Sequence, residues 1–143
     1  RPAPRRLKHR YGVNAVRFTR DGRRVATASD DGTARVWAVP SGQQVAELGG
    51  HLDPVLDVDV SPDGRFLVSA SGDRTARLWD LRTRRLVGVF GGHDGRVLQA
   101  RFSARGDTIL TVPDFGAAAV YACDACGPID DVLERAERLV RRN

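Results

Sequence analysis

Three histidines could take part in acid–base chemistry, and they recur at a fixed interval. His9, His51 and His93 are 42 residues apart, and Ser, Thr and Asp residues follow them along the chain. A serine nucleophile, a histidine base and an aspartate form the catalytic constellation of many hydrolases. A catalytic triad is needed once, however, and this pattern occurs at one repeat position three times. No phosphate-binding GxxxxGK[ST] loop occurs either. The repetition favours a structural role, and we predict that the protein is not an enzyme and has no catalytic residues.

A second chemically reactive pair is Cys123 and Cys126. A CxxC segment can be half of a zinc site, a redox pair or a disulfide. Zinc requires four ligands, and the nearby sequence offers no second pair, so we expect no metal and no cofactor. The interpretation we favour is two small, half-buried residues of a final strand, because Cys packs as a small hydrophobic residue.

The interval of 42 residues extends well beyond the histidines. It relates the aromatic residues Trp37, Trp79 and Tyr121. The same interval separates the first-strand valines Val13, Val55 and Val97, and the turn glycines Gly22, Gly64 and Gly106. Three copies in register indicate one supersecondary unit repeated along the chain.

Each copy predicts four short strands. In the second copy these are residues 55–60, 66–71, 75–81 and 85–90, and a Pro-Asp-Gly turn joins the first two. Such a sheet has two apolar faces, which become buried when copies stack. A four-stranded repeat of 40–45 residues is typical of a β-propeller blade. The sequence therefore predicts an all-β fold, a partial β-propeller of three four-stranded antiparallel blades.

The repeated residues also resemble a known family. The segment GGH at 49–51, the pair Trp79-Asp80 and the 42-residue period are similar to WD40 repeats. The resemblance covers residues 9–122 and divides the chain into repeats at 9–50, 51–92 and 93–126. Two copies depart from it, since Ala38 and Ala122 replace the Asp of the Trp-Asp pair and Tyr121 replaces a Trp.

The resemblance implies a hydrogen-bonded chain of His, Ser or Thr, Asp and Trp in each blade. The residues that match are His9, Thr27, Asp31 and Trp37 in the first copy and His51, Ser69, Asp73 and Trp79 in the second. The hydroxyl would accept from the indole and donate to one imidazole nitrogen, while the other nitrogen donates to the carboxylate. In the third copy Phe115 replaces the Asp beside His93 and Thr111. We therefore expect packing to hold that blade and a Phe115→Ala variant to open a cavity.

The first strand of each copy breaks the alternation expected of a strand. Apolar residues fall at 55, 58 and 60, and the step of three predicts a β-bulge at Leu56 and at its equivalents Asn14 and Leu98. In the resembled family the rim near such residues commonly binds partner proteins. The predicted partner-binding face comprises Asn14, Asp30, Pro54, Leu56, Arg96, Leu98 and Asp114.

The two ends differ from the repeats. Residues 1–8 carry two prolines and predict a linker or a severed strand of a preceding blade. Residues 127–143 predict an amphipathic helix, with apolar residues at helical spacing. Propellers close with 4–8 blades, so we expect the missing blades to come from upstream residues or from self-association. The absence of Met, even at residue 1, also indicates a piece of a longer protein.

Composition bounds the possible partners. The net charge is +5, and all basic residues but Lys8 are Arg, as in GC-rich bacterial genomes. Arg35 and Arg77, expected to point outward, and the cluster at 82–85 leave nucleic-acid binding as the alternative function. No apolar run reaches the ~20 residues that cross a membrane, and we predict a cytoplasmic protein.

The predicted function is a non-catalytic protein-interaction scaffold. Its partners would be another protein or upstream domains of the same chain, with nucleic acid and membranes not expected. The C-terminal sequence is similar to that of bacterial WD40 proteins in which a nucleotide-switch ATPase or a Ser/Thr kinase precedes the propeller. This similarity implies the sensor or docking part of a larger regulatory protein.

Overall fold

The computed structural model describes residues 3–126, which form three antiparallel sheets. The first contains β1 (Val13–Phe18), β2 (Arg24–Ser29), β3 (Ala34–Ala38) and β4 (Gln44–Leu48). The second contains β5 (Val55–Val60), β6 (Phe66–Ser71), β7 (Ala76–Asp80) and β8 (Arg85–Phe90). The third contains β9 (Val97–Phe102), β10 (Thr108–Pro113) and β11 (Ala119–Ala122). Strands that follow one another in sequence are neighbours in each sheet. The all-β prediction of stacked propeller blades is confirmed, and the sheets are called blades 1, 2 and 3.

Blade 3 has three strands within the described residues. The position equivalent to β8, 42 residues further on, falls at 127–132 and so lies outside them, as does the helix predicted at 127–143. Residues 3–8 contain no strand. Within residues 3–126 the chain has no helix of the length and apolarity that crossing a membrane requires.

The turn between the first two strands of blade 2 is formed by its own side chains. The Ser61 hydroxyl donates to Asp63 Oδ1 at 2.6 Å, and the same oxygen accepts from the Arg65 N–H at 3.0 Å. Gly64 has a φ of 75°, a backbone conformation that costs glycine little. The Pro-Asp-Gly segment thus folds as the sequence predicts, and it holds Arg65 at the start of β6.

The hydrophobic core lies between blades rather than inside any one of them. One cluster joins blades 1 and 2 and includes Val36, Leu48, Val58, Leu67 and Trp79. A second joins blades 2 and 3 and includes Phe66, Val68, Leu78, Val97 and Ile109. Blade 2 is therefore covered on both faces, and all six residues of β6 are buried.

The outer faces of blades 1 and 3 expose side chains that are buried in blade 2. Phe18 is 66% exposed, whereas its equivalent in blade 2, Val60, is 9% exposed. On the opposite side Val120 is 68% exposed, and its equivalent Leu78 is 4% exposed. Each outer face thus presents residues of the kind that a neighbouring blade covers.

Candidate functional site

The first strand of every blade contains the predicted bulge. In blade 2 Val55 pairs with Ser71 and Asp57 pairs with Ala70, which leaves Leu56 as the extra residue. The same register shift occurs at Asn14 in blade 1 and at Leu98 in blade 3. The prediction of three equivalent bulges is confirmed, and it places residues 14, 56 and 98 at the same point of their blades.

Side chains predicted for the partner-binding face meet in pairs on this rim. The Asn14 amide donates to Asp30 Oδ1 at 2.8 Å and to the Val55 carbonyl of the next blade at 2.9 Å. Arg96 Nε donates to Asp114 Oδ2 at 2.9 Å. Asn14 therefore also fastens blade 1 to blade 2, a structural role that the sequence does not indicate.

The apolar members of the rim are partly exposed. Leu98 is 38% exposed, whereas Leu56 and Pro54 are half-buried. The same backbone hydrogen bond recurs beside them in each blade. The N–H groups of Asp30, Gly72 and Asp114 donate to the carbonyl groups of Gly12, Pro54 and Arg96, respectively. The rim thus has one backbone geometry in three copies with different side chains. We call residues 14, 30, 54, 56, 96, 98 and 114 together the bulged rim.

The histidine of blade 2 lies at the centre of a hydrogen-bonded chain. His51 Nδ1 is 2.8 Å from Asp73 Oδ2, and Nε2 is 2.7 Å from Ser69 Oγ. The Trp79 indole donates to the same hydroxyl at 2.9 Å. Because an indole can only donate, Ser69 accepts from Trp79 and donates to His51, and Nδ1–H donates to Asp73.

Blade 1 repeats this arrangement. His9 Nδ1 is 3.1 Å from Asp31 Oδ2, His9 Nε2 is 2.5 Å from Thr27 Oγ1, and the Trp37 indole donates to Thr27 at 2.9 Å. The structure therefore brings together all eight residues that the resemblance assigns to the two networks.

The environment of blade 2 fixes the charges of its network. Burial raises the pKa of Asp73, but hydrogen bonds from Thr75 and His51 outweigh it and lower the pKa from 3.8 to about 2. Burial lowers the pKa of His51 below its ordinary 6.5, against the opposing effect of Asp73. At neutral pH the pair is a neutral imidazole beside a carboxylate, which agrees with the donor directions above.

Blade 3 completes its network differently. His93 Nε2 is 2.8 Å from Thr111 Oγ1, and Nδ1 is 3.2 Å from the Arg74 carbonyl of blade 2. The Tyr121 hydroxyl lies 3.3 Å from His93 Nε2. Phe115 does not pack in place of the missing Asp, because it is 71% exposed. The expectation that Phe115→Ala opens a cavity is wrong, since an exposed ring fills no internal space.

The network hydroxyls are poorly placed for catalysis. Ser69 is fully buried and Thr27 is 1% exposed, and each bonds to an indole and an imidazole. A buried nucleophile cannot reach a substrate. The networks instead tie the loop before each blade to the turn between its second and third strands, which supports the rim from beneath.

The interpretation of the two cysteines as half-buried residues of a final strand is wrong, because both follow the end of β11 at Ala122, are buried and pair with each other. Cys123 and Cys126 form a disulfide, and both belong to the hydrophobic cluster between blades 2 and 3. No group of three or more His, Cys, Asp or Glu residues within residues 3–126 is arranged to hold a metal ion.

The prediction that the arginines of the third strands point outward is wrong. The side chain of Arg35 is 17% exposed and lies 3.5 Å from Asp31 and 3.1 Å from Glu47. Arg77 is half-buried, with its Nε hidden from solvent. The Arg35 side chain folds back along the sheet toward the carboxylates of Asp31 and Glu47, which covers most of it. Arg35 is engaged within its own blade, and nothing in its contacts favours nucleic-acid binding.

Two aspartates that connect blades 2 and 3 were not predicted from the sequence. Asp57 Oδ2 accepts from the Ala100 N–H at 3.1 Å and from the Arg101 guanidinium, and Asp59 Oδ2 accepts from the Phe102 N–H at 2.9 Å. Burial raises the pKa of Asp59. The available signal was the alternation VLDVDV, which places two carboxylates on one side of an inner strand.

Comparison with known proteins identifies the family. A family model described as WD domain, G-beta repeat, matches residues 4–38 and 42–80, just over half of the chain. The chain belongs to the WD40 family. Each matched segment ends with the third strand of a blade, at Ala38 and Asp80, and contains the His–hydroxyl–Asp–Trp network of that blade.

Individual relatives are similar over shorter stretches. Human WD repeat-containing protein 86 is 49% identical over 43 residues, which are 30% of this chain and 11% of that protein. Zebrafish guanine nucleotide-binding protein subunit beta-5b is 35% identical over 54 residues, which are 38% of this chain and 14% of that protein. Periodic tryptophan protein 2 homolog of Dictyostelium discoideum is also 35% identical over 54 residues, 38% of this chain and 6% of that protein. The chain thus matches at most a seventh of the length of these WD40 relatives.

Proposed function

We propose that this chain is a protein-interaction scaffold and that its partner binds the bulged rim. The observation that carries the proposal is the triple bulge, which sets residues 14, 56 and 98 at equivalent points of three blades. A repeated backbone with varied side chains is a rigid platform for recognition, since binding loops are commonly held by a rigid scaffold.

The composition of the bulged rim suits a protein partner. Leu98 and the half-buried Leu56 supply apolar area, and the Arg96–Asp114 pair supplies charge beside it. Protein interfaces combine an apolar centre with a polar margin in this way. The networks below the rim fix its loops before binding, which lowers the entropy lost on association.

The relatives agree with a role in assembly. WD40 repeats in general act as interaction scaffolds, and the zebrafish relative is named as a subunit. We infer that further blades, from the same polypeptide or from other copies, cover the outer faces that expose Phe18 and Val120. Upstream domains of the same polypeptide are included among the partners that we propose.

The wider setting is also a proposal. We infer a bacterial regulatory protein with an ATPase or kinase domain upstream, on the strength of the arginine bias and the C-terminal sequence. A cytoplasmic location stays a prediction.

The test replaces the two rim leucines. The Leu56→Ser and Leu98→Ser double variant should reduce partner capture from the source organism at least about fivefold, because it removes the apolar centre of the interface. The matched control is Leu86→Ser with Val89→Ser, since these residues are 41% and 52% exposed and lie on β8, the strand of blade 2 farthest from the bulged strand β5.

A photo-crosslinker at position 98 identifies the captured protein, and the same group at position 86 provides the background. Equal capture by the rim variant and the wild type, with both chains folded, would remove the bulged rim from consideration as the docking surface.

A further inference from the structure

A basic cleft lies between blades 1 and 2, on the rim opposite the bulged rim. It has a volume of about 470 Å³, and its lining includes four arginines, one from blade 1 and three from blade 2: Arg24, Arg65, Arg82 and Arg84. Antiparallel strands place the β5–β6 and β7–β8 turns at the end of the sheet away from the histidine loops. We call this feature the arginine cleft.

Two of the four arginines in the cleft have no carboxylate partner within the described residues. Arg82 and Arg84 form no ion pair with any carboxylate of residues 3–126. Arg24 has a carboxylate nearby, that of Asp21. The pKa of Asp21 is lowered mainly by a hydrogen bond from the Arg23 N–H and more weakly by the positive charge of Arg24. The cleft therefore attracts anions.

One arginine is held in place before any ligand binds. Arg65 lies 3.7 Å from Asp80 Oδ2, and its guanidinium stacks over the Phe66 ring at 4.9 Å from the centroid. Its Nε is buried and has no hydrogen-bond acceptor among residues 3–126. The Arg65 side chain is 31% exposed and is already held by Asp80 and Phe66, so it can bind an anionic group with little further loss of side-chain freedom.

Apolar side chains also line the cleft. Val45 of blade 1 and Leu81 of blade 2 face it together with the arginines. The one carboxylate of the lining is that of Asp63, and its Oδ1 already accepts from Ser61 and from the Arg65 N–H. The lining thus combines forked cationic donors with an apolar surface.

We propose that the arginine cleft binds an acidic peptide segment of a protein partner, with a carboxylate between the arginines and an adjacent apolar side chain against Val45 and Leu81. Guanidinium groups match planar carboxylates with two parallel hydrogen bonds. Single-stranded nucleic acid binds through aromatic rings that stack on its bases, and no aromatic ring lines the cleft. The surface is separate from the bulged rim, so the chain would hold two partner segments at opposite ends of its blades.

The probe is an end-blocked octapeptide that alternates Glu and Leu, and binding is followed by fluorescence anisotropy over a range of salt concentrations. The Arg82→Gln and Arg84→Gln double variant should bind at least about tenfold more weakly, because two charge-assisted contacts are lost. The control is Arg6→Gln with Arg10→Gln, which removes the same charge from exposed arginines outside the cleft and should change binding less than about twofold. Urea midpoints of both variants show that the fold is kept.

Further measurements distinguish an acidic peptide from other occupants of the cleft. A matched Gln-Leu octapeptide should not bind, and Leu56→Ser with Leu98→Ser should leave peptide binding unchanged, so this proposal and the proposed rim function fail independently. Absence of peptide binding, or equal loss in both arginine variants, overturns the proposal. Tighter binding of a single-stranded oligonucleotide of equal charge also overturns it, in favour of nucleic acid. Stronger peptide binding by Asp130→Asn with Asp131→Asn would instead identify the chain's own acidic residues as the occupant.

Discussion

Replacing Asp73 with Ala should destabilise the protein by about 2 kcal/mol, because a buried imidazole loses its acceptor. Asp73 accepts from His51 Nδ1 at 2.8 Å, from the Leu52 N–H at 3.2 Å and from the Thr75 N–H and hydroxyl at 3.0 and 2.6 Å. The Leu52 N–H lies in an exposed contact, so water can replace the carboxylate there. His51 is 8% exposed, and its Nδ1–H has no such substitute.

The pKa of Asp73 gives a second value for the loss of stability in the Asp73→Ala variant. A fall from 3.8 to about 2 corresponds to a preference for the charged form of at most about 2 kcal/mol, since each pKa unit is worth about 1.4 kcal/mol. Solvent at the turn screens part of this, so about 1–2 kcal/mol is the share attributed to charge. Both routes place the loss between about 1 and 3 kcal/mol.

Urea unfolding followed by tryptophan fluorescence measures the loss. Trp79 donates to the hydroxyl that contacts His51, so its emission reports on this network, and a Trp37→Phe background leaves it as the single tryptophan. With a typical urea m value of about 1–3 kcal/mol per M, the midpoint should fall by about 1 M.

The control is Asp53→Ala, an exposed aspartate on the same loop, which should change stability by less than about 0.5 kcal/mol. If the Asp73 variant keeps the wild-type midpoint, or if the midpoints of both variants fall equally, the network does not stabilise the blade.

Three further predictions concern pH, backbone strain and association. The depressed pKa of Asp73 contributes stability that is complete above about pH 3.8 and lost as the pH falls toward about 2, and the depressed pKa of His51 acts in the same direction below about 6.5. Urea midpoints at pH 7, 5 and 3 should fall in that order, and the fall between pH 5 and pH 3 should be smaller in an Asp73→Ala variant. Arg74 has a φ of 71° where the other blades have glycine, so Arg74→Gly should raise the free energy of unfolding by about 0.5–1 kcal/mol, and an unchanged or lower midpoint would contradict this. The exposed outer faces should make the isolated chain associate, so light scattering after size exclusion should give a mass above 15.6 kDa, and a monodisperse species of that mass would count against it.

The sequence predicts the features that form within a single repeat. The bulge at Leu56 follows from a step of three in the apolar pattern, and it recurs because all three copies share that step. The partners of His51 follow from the repeat position, because each copy closes the same network over the same distance along the chain.

The remaining features depend on contacts between copies, which the repeat does not encode. Asp57 bonds to residues of β9, 43 and 44 positions away, and the first copy has Ala15 at the equivalent position. The exposure of Phe115 was missed for a different reason. An aromatic ring suggests burial, but this one lies in the loop between β10 and β11, where an Asp would have reached back to the histidine.

The outer faces of blades 1 and 3 are different surfaces, and this gives the chain a direction. A copy that continues the blade stacking over the Phe18 side of another does so with its own Val120 side, so each contact joins two unlike faces, head to tail, instead of two like faces. Two chains arranged in this way make a six-bladed ring if the rotation closes, and an open filament grows if it does not. A polar residue in place of Phe18 would then act as a chain terminator, since it blocks growth at one end and leaves the other end able to bind.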